Sequence, residues 1–204
     1  MILDPHVLEK IVIDNVLEFG EGTFELETPF QVPSTMFLKG SNSANPITFY
    51  IGVDPGISGA IAIYDGKEFY AVSTMGLAGK ELDLTGISKW ILDYVRSDHC
   101  IAGIEKVSAM PKQGVTSMFN FGFNTGAIHG ILASLGIPRY LITPQAWKKE
   151  ILAGTSKDKD AAIAYCRRVY PDISLLATPK SRTPHSGMAD AMCIALYTKI
   201  KHGG

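Results

Sequence analysis

The sequence predicts a mixed α/β domain in which an antiparallel meander is followed by parallel strands and flanking helices. Three short apolar stretches follow one another between residues 48 and 73 with only turns between them, which is the pattern of a meander. After them, amphipathic segments alternate with short apolar runs, as in crossover connections between parallel strands. The 204 residues are 46% hydrophobic, which is enough for one domain with its own core plus an appendage.

Residues 1–46 are predicted to form an N-terminal appendage that ends in a polar linker, SNSANP, and residues 47–204 the main domain. The appendage combines a stretch of helical spacing with an alternating stretch typical of a strand, and it carries two lysines against seven carboxylates. It contains no residues with an evident chemical role. An oligomerisation or docking function and a passive cover over the edge of the sheet both remain open.

In the main domain, strands are predicted at residues 48–53, 59–65 and 68–73, with a tight turn at Asp65-Gly66. Beyond them we expect helix 84–97, strand 101–105, helix 115–135, strand 139–142, a short helix capped by Thr143 and Pro144, helix 158–169 and a last helix from near Met188. The core positions are predicted to be Ile87, Ile91, Tyr94 and Val95 in the first helix and Ala189, Met192, Cys193, Leu196 and Ile200 in the last.

Neither the N-terminus nor the cysteines point to an exported protein. The first ten residues, MILDPHVLEK, place an acid before any base and no long apolar run follows them, so neither a signal peptide nor a membrane span is expected. A cytoplasmic location follows as the expectation. Cys100, Cys166 and Cys193 are odd in number and widely spaced, which favours three buried thiols over a disulfide framework or a zinc site.

The charge is distributed unevenly along the chain. The first 100 residues carry 6 Lys and Arg against 14 Asp and Glu, whereas the remaining residues carry 13 against 6. A basic C-terminal half suits an anionic partner such as nucleic acid. A solvated surface of mixed charge explains the same numbers equally well.

Three acids stand at positions where chemistry is expected. Asp54 ends the first strand, Glu105 ends the strand after the crossover, and Asp190 lies in the first turn of the last helix. If the two strands are parallel neighbours, their terminal carboxylates lie side by side at one edge of the sheet, and the last helix can bring Asp190 to the same place. Three clustered carboxylates repel one another and need cations to stay ionised.

Carboxylate ligands without thiolates select Mg²⁺ or Mn²⁺, and a pair of such ions can promote in-line hydrolysis of a phosphodiester. Each acid also has a structural alternative. Asp54 can cap a turn, Glu105 can pair with Lys106, and Asp190 can favour the N-terminus of a helix. The D-P-G-x-x-G stretch that starts at Asp54 is also similar to the first phosphate loop of actin-like and sugar-kinase ATPases, but no second loop of this kind follows.

Four stretches together carry a more specific signal. IGVDPGISGAIAIYD, GIEKVSAMPKQGVTSMFNFGFNTGAIHGIL, ITPQAWKKEIL and HSGMADAMCIALY resemble, in order, the motifs of RuvC-type Holliday junction resolvases, particularly phage-like members. The resemblance covers about residues 48–200. It implies a ribonuclease H-like fold, a homodimer, and Mg²⁺-dependent nicking of branched DNA such as a four-way junction, with Asp54, Glu105 and Asp190 as the metal-binding and catalytic acids.

The sequence departs from that family at two positions. The family's fourth ligand, an Asp or His, usually stands three residues before the last acid, where this chain has Gly187. His185 is therefore the candidate for the fourth metal ligand or for a catalytic base that orients the attacking water. Bacterial members carry an aromatic residue three positions after the Glu, where this chain has Ser108. The candidates to replace it are Met110, Phe119, Phe121 and Phe123, and core packing is the alternative for the phenylalanines.

Lysines near the predicted site are candidates for contacts to the DNA backbone, since they neutralise phosphates without reading sequence. They are Lys106, Lys112, Lys148, Lys149, Lys157 and Lys159. Gly122, Gly126 and Gly130 recur every four residues on one helix, which predicts close packing against the sheet or another helix, or the dimer contact. Two other functions stay open: a flap, fork or RNA nuclease using the same site, and a nucleic-acid-binding module without catalysis.

Overall fold

The computed structural model describes residues 49–95, 99–106, 108, 114–155, 158 and 160–203. The predicted appendage of residues 1–46 lies outside these residues, as do Met110, Lys112, Lys157 and Lys159. Strands and helices follow in the order β1 (Phe49–Asp54), β2 (Ala60–Tyr64), β3 (Phe69–Thr74), β4 (Leu77–Ala78), β5 (Glu81–Leu82), α1 (Leu84–Tyr94), β6 (Cys100–Glu105), α2 (Val115–Ser134), β7 (Arg139–Ile142), α3 (Pro144–Ile151), α4 (Ala161–Val169) and α5 (Ser186–His202).

The main sheet has the predicted mixed topology. Its order is β3-β2-β1-β6-β7, in which β1 to β3 pair antiparallel whereas β1, β6 and β7 pair parallel. The β2–β3 turn is held by Asp65, whose side chain accepts hydrogen bonds from the backbone N–H groups of Lys67 and Glu68 at 2.7 Å. The α/β fold class predicted from the sequence is confirmed.

Alternation along the strands divides the core between the two faces of the sheet. Ile51 and Val53 of β1 and Ile104 of β6 pack with α1 and α2 on one face. Tyr50 of β1 packs on the other face with α3, α4 and α5. Even-numbered residues of β1 and odd-numbered residues of β6 therefore lie on the face of the sheet that α5 covers. Asp54 and Glu105, the last residues of the two strands, are on this face.

Two strand glycines allow α5 to lie very close to the sheet. A Cβ atom at Gly52 would overlap the carbonyl oxygen of Ala191, and one at Gly103 would overlap the hydroxyl of Thr198. Gly52 therefore lets the backbone of α5 approach that of β1, and Gly103 leaves space over β6 for the side chains of Thr198 and Ile194. This close packing brings the first turns of α5 to the edge of the sheet where β1 and β6 end.

Several boundaries and core positions differ from the prediction. α4 begins at Ala161 rather than 158, α5 begins at Ser186 rather than near Met188, and the short β4–β5 hairpin was not predicted. Tyr94 and Ile200 are 37% and 55% exposed. The first helix ends at Tyr94, and the extended residue Val95 is buried in the core in its place, whereas Ile200 lies among the exposed residues of the last turn of α5. The other predicted core residues are buried, and so are Cys100, Cys166 and Cys193. Among the helices described, none is long and apolar enough to cross a membrane.

Candidate active site at the sheet edge

Asp54 and Glu105 lie at corresponding ends of neighbouring parallel strands. Val53 of β1 is in register with Ile104 of β6, so the next residue of each strand is the acid. Both carboxylates belong to the α5 face. The crossover therefore brings together the two acids that the sequence predicted at one edge of the sheet.

Asp190 joins them from α5, at the fifth residue of the helix rather than in its first turn. The alternative role of a charge at the helix N-terminus is therefore wrong for this residue. Gly187, three residues earlier, is buried against β1: a Cβ atom there would lie 2.9 Å from Oδ2 of Asp54 and 2.9 Å from the carbonyl oxygen of Ser58. The glycine at the family's fourth-ligand position leaves room for the Asp54 carboxylate.

The electrostatics of Asp54 show that the acids act on one another. The pKa of Asp54 is raised to about 8, chiefly by burial and in addition by the Glu105 and Asp190 carboxylates, whereas the Lys148 ammonium opposes the shift. Burial and like-charge repulsion both penalise the ionised form. A cation at this edge would relieve both penalties.

Asp190 has the same kind of environment, but its pKa is shifted less than that of Asp54. Burial raises the pKa of Asp190 to about 6; the Lys148 ammonium works against this shift and the Glu105 carboxylate adds to it. Lys148 is exposed on α3, and its ammonium is also 5.1 Å from the centre of the Trp147 ring. The lysine predicted as a phosphate contact therefore lies within electrostatic range of two of the acids.

Glu105 has a partner that the sequence analysis did not identify. The indole Nε1–H of Trp147 donates a hydrogen bond of 2.8 Å to Oε1 of Glu105, and Trp147 is fully buried. A buried tryptophan needs an acceptor for its single N–H group. That requirement is a signal in the sequence, but it does not say which acceptor is used.

His185 forms the N-cap of α5, where its Nδ1 accepts a hydrogen bond of 3.3 Å from the backbone N–H of Met188. In a neutral imidazole whose Nδ1 is an acceptor, the proton is on Nε2. Nitrogen ligands to metals must be unprotonated, so the cap favours contact of Nε2–H with water or phosphate over metal ligation. The ring lies near Asp54: its Cε1 is 3.1 Å from the same Cβ position at Gly187.

The chemistry of the acids fits a hard divalent cation. Asp54, Glu105 and Asp190 offer only oxygen ligands, and their repulsion is of the kind that Mg²⁺ relieves. Within the described ranges, no three His, Cys, Asp or Glu side chains are grouped closely enough to hold a metal ion. The fit therefore rests on donor type and electrostatics.

Three of the predicted DNA-contacting lysines can be placed. Lys106 directly follows β6, and its backbone N–H donates to the carbonyl oxygen of Ile142 at 2.7 Å. Lys148 and Lys149 stand in the last turn of α3. All three are exposed, and Lys106 and Lys148 lie near the acids, Lys106 directly after Glu105 and Lys148 within electrostatic range of Asp54 and Asp190. Ser108 is exposed as well.

The outward face of α2 contradicts two expectations. Phe119 and Phe123 are 70% and 59% exposed and stack on each other with ring centres 6.4 Å apart, so core packing is wrong for both, whereas Phe121 is half-buried. Cβ atoms at Gly122, Gly126 and Gly130 would meet no described residue within 4 Å. Packing of these glycines against the sheet or another described helix is therefore wrong.

Comparison with solved structures identifies the fold. A structure of Thermus thermophilus RuvC matches with a TM-score of 0.53 and 19% identity over 76% of this chain and 97% of that one. T. thermophilus RuvC in complex with a Holliday junction substrate matches with a TM-score of 0.52 and 19% identity over 74% of this chain and 92% of that one. No protein-family model matches the chain, and neither does any curated protein. The ribonuclease H-like fold implied by the motif resemblance is confirmed.

Proposed function

We propose that this protein is a metal-dependent endonuclease that cuts branched DNA, with the four-way junction as its preferred substrate. The observation that carries the proposal is the mutual repulsion of Asp54, Glu105 and Asp190 at one sheet edge of a RuvC-like fold. One of the two similar structures described above is that of T. thermophilus RuvC in complex with a Holliday junction substrate. A site of this kind is suited to phosphodiester hydrolysis.

In the proposed mechanism, the side chains of Asp54, Glu105 and Asp190 would draw together to hold Mg²⁺, with two ions as the favoured number and Mn²⁺ as a substitute. When bound, the metal supplies Lewis-acid activation of the phosphate and of the attacking water. The three carboxylates supply the negative charge that attracts the metal, and their positions determine where it binds. The resemblance to RuvC-type resolvases implies that cleavage would leave a 5′-phosphate and a 3′-hydroxyl.

We assign His185 to the same site. Its Nε2–H can donate to the attacking water or to a phosphate oxygen while Nδ1 keeps the N-cap of α5 in place. Service as a fourth metal ligand would require Nε2 to lose its proton and Nδ1 to gain one, which would break the cap. The role of orienting the water therefore agrees better with the local hydrogen bonding.

We propose that six lysines bind the DNA backbone: Lys106, Lys112, Lys148, Lys149, Lys157 and Lys159. A lysine that neutralises phosphate contributes affinity that falls with salt concentration and does not depend on base sequence. Lys148 would have a second effect, since its ammonium already lowers the pKa of both Asp54 and Asp190.

We also propose that the protein acts as a homodimer through the outward face of α2. This face exposes Val115, Phe119 and Phe123 beside three glycines. Exposed apolar residues next to glycines suit a second helix at close range. Two sites in one dimer would account for paired cuts in a symmetric junction.

The test is nicking of a synthetic four-way junction beside matched linear duplex and flap DNA, with Mg²⁺, Mn²⁺ or EDTA. We expect paired cuts in the junction with either metal and none with EDTA. Asp54→Asn should abolish cleavage and leave junction binding intact, whereas Asp93→Asn, which removes an exposed acid of α1, should cut normally. Cleavage by the Asp54→Asn protein at the normal rate would refute the mechanism.

The same panel separates the other candidates. Cuts in flaps or forks at the same rate would keep the metal site and make the protein a general branch nuclease. Metal-independent binding without any cut would favour a binding module.

A further inference from the structure

We infer that Trp147 is a positioning residue for Glu105: its indole N–H fixes one carboxylate oxygen and thereby presents the other for metal binding. The inference rests on the proposed function, and it concerns a residue that is fully buried. Its basis is the 2.8 Å hydrogen bond from Nε1 of Trp147 to Oε1 of Glu105. Oε2 of Glu105 is then the oxygen left for a cation.

The donor is rigidly held. Trp147 is fully buried in the cluster that includes Ile142 and Ile151, so its ring cannot rotate without opening the core. Nε1–H is a donor only. The indole therefore has one favourable hydrogen-bonding arrangement, and Glu105 completes it.

The backbone fixes the distance between the two residues. Glu105 is in register with Ile142 of β7, and α3 begins two residues later, after the N-cap Thr143, whose hydroxyl accepts from the N–H of Ala146 at 3.3 Å. Trp147 is the fourth residue of α3. The short connection from β7 to α3 thus places the indole next to the end of β6.

A neutral donor is the suitable kind for this task. A lysine or arginine at the same place would neutralise the Glu105 carboxylate and compete with a metal ion. The indole orients the carboxylate and leaves its full negative charge. Residues that orient metal ligands in this way commonly change metal affinity or activity by roughly 10- to 100-fold when replaced.

The first experiment observes the indole directly in the metal-free protein. The chain has two tryptophans, Trp90 and Trp147, so a ¹⁵N–¹H spectrum contains two indole signals that Trp90→Phe and Trp147→Phe assign. We expect the Trp147 proton to resonate downfield and exchange slowly, and Glu105→Ala to shift it upfield while leaving Trp90 unchanged. Added Mg²⁺ should shift Trp147 more than Trp90.

The second experiment compares cleavage by Trp147→Phe and by the control Trp90→Phe. Trp147→Phe keeps an aromatic ring and removes the donor. We expect it to raise the Mg²⁺ concentration for half-maximal cleavage roughly 10-fold or more, with unchanged junction affinity in EDTA. Trp90→Phe should match the wild-type protein.

The inference is overturned if neither Glu105→Ala nor Mg²⁺ changes the chemical shift of the Trp147 indole. It is also overturned if a folded Trp147→Phe protein shows the same Mg²⁺ dependence of cleavage as the wild-type protein. Should Trp147→Phe fail to fold, the spectra of the wild-type and Glu105→Ala proteins decide the matter. A wild-type protein that cuts no DNA but shows the Mg²⁺-dependent indole shift would refute the proposed function and support the positioning role.

Discussion

The two longest helices of the domain are both apolar, yet their surroundings are opposite. α5 buries ten of its 17 residues, whereas α2 buries four of its 20. The glycines near each helix differ in the same sense: a Cβ atom at Gly52 or Gly103 of the sheet would overlap atoms of α5, whereas the glycines of α2 face outward. A glycine in an apolar segment therefore marks close packing only where a second element of the fold covers it.

The largest loss of stability is expected from a substitution where α5 packs against the sheet. Gly52→Ala places a methyl group on the backbone of Ala191 and Ala195. Because backbone atoms cannot move aside as a flexible side chain does, we expect a loss of about 3 kcal/mol or more and little soluble folded protein. Urea unfolding followed by circular dichroism measures it.

Gly130→Ala on the outward face of α2 is the matched control for Gly52→Ala. It introduces the same methyl group where no described residue lies within 4 Å, and it should fold normally. Equal stability of the two variants would contradict the difference in packing between the two helices.

The buried acid on the α5 side should make stability depend on pH. The pKa of Asp54 is raised from 3.8 to about 8, so between these values the folded metal-free protein binds a proton that the unfolded chain has released. Stability is therefore highest below about pH 4 as far as this residue is concerned, and it is lost as the pH rises toward 8. The loss is on the order of a few kcal/mol.

Asp54→Asn tests that dependence. The variant cannot ionise, so in EDTA its unfolding free energy should exceed that of the wild-type protein at pH 8 and the two should converge near pH 4. Mg²⁺ should stabilise the wild-type protein more at pH 8 than at pH 5 and have less effect on the variant. A wild-type protein whose metal-free stability rises steadily from pH 5 to pH 8 would show that Asp54 ionises freely.

At Gly187 the same close packing should affect cleavage more than folding. Gly187→Ala improves helix propensity by up to about 1 kcal/mol, but its Cβ would lie 2.9 Å from Oδ2 of Asp54 and 2.9 Å from the backbone carbonyl oxygen of Ser58. The methyl group must displace the carboxylate, and its contact with the Ser58 backbone offsets the gain in helix propensity. We expect unfolding free energy to change by about 1 kcal/mol or less and cleavage to slow roughly 10- to 100-fold. Single-turnover cleavage at saturating Mg²⁺ measures it.

Gly76→Ala provides the comparison for Gly187→Ala, since a Cβ there has only ordinary contacts at 3.8 Å. It should leave the cleavage rate as it is. A normal rate in the Gly187→Ala protein would mean that the position of the Asp54 carboxylate is not critical.

The topology of the sheet and the positions of two of the acids could be predicted from the sequence. Strand alternation and a right-handed crossover predict that Asp54 and Glu105 end parallel neighbours, and the register confirms it. The indole donor was not predictable, because the pairing of Trp147 with Glu105 joins residues 42 apart and depends on how α3 leaves β7. Helical periodicity failed for α2 for a related reason, since it reports which residues are apolar and not which face is covered.

The smallest change in stability is expected from a substitution on the outward face of α2. Gly126→Ala adds a methyl group in a helix where no described residue is within 4 Å, so the monomer should gain roughly 0.5–1 kcal/mol from helix propensity alone. If a second copy packs against this face, the same methyl group should weaken self-association. Urea unfolding at low protein concentration and sedimentation equilibrium at high concentration separate the two effects. A destabilised monomer would contradict the open environment of the glycine, and a dimer as tight as that of the wild-type protein would place the contact elsewhere.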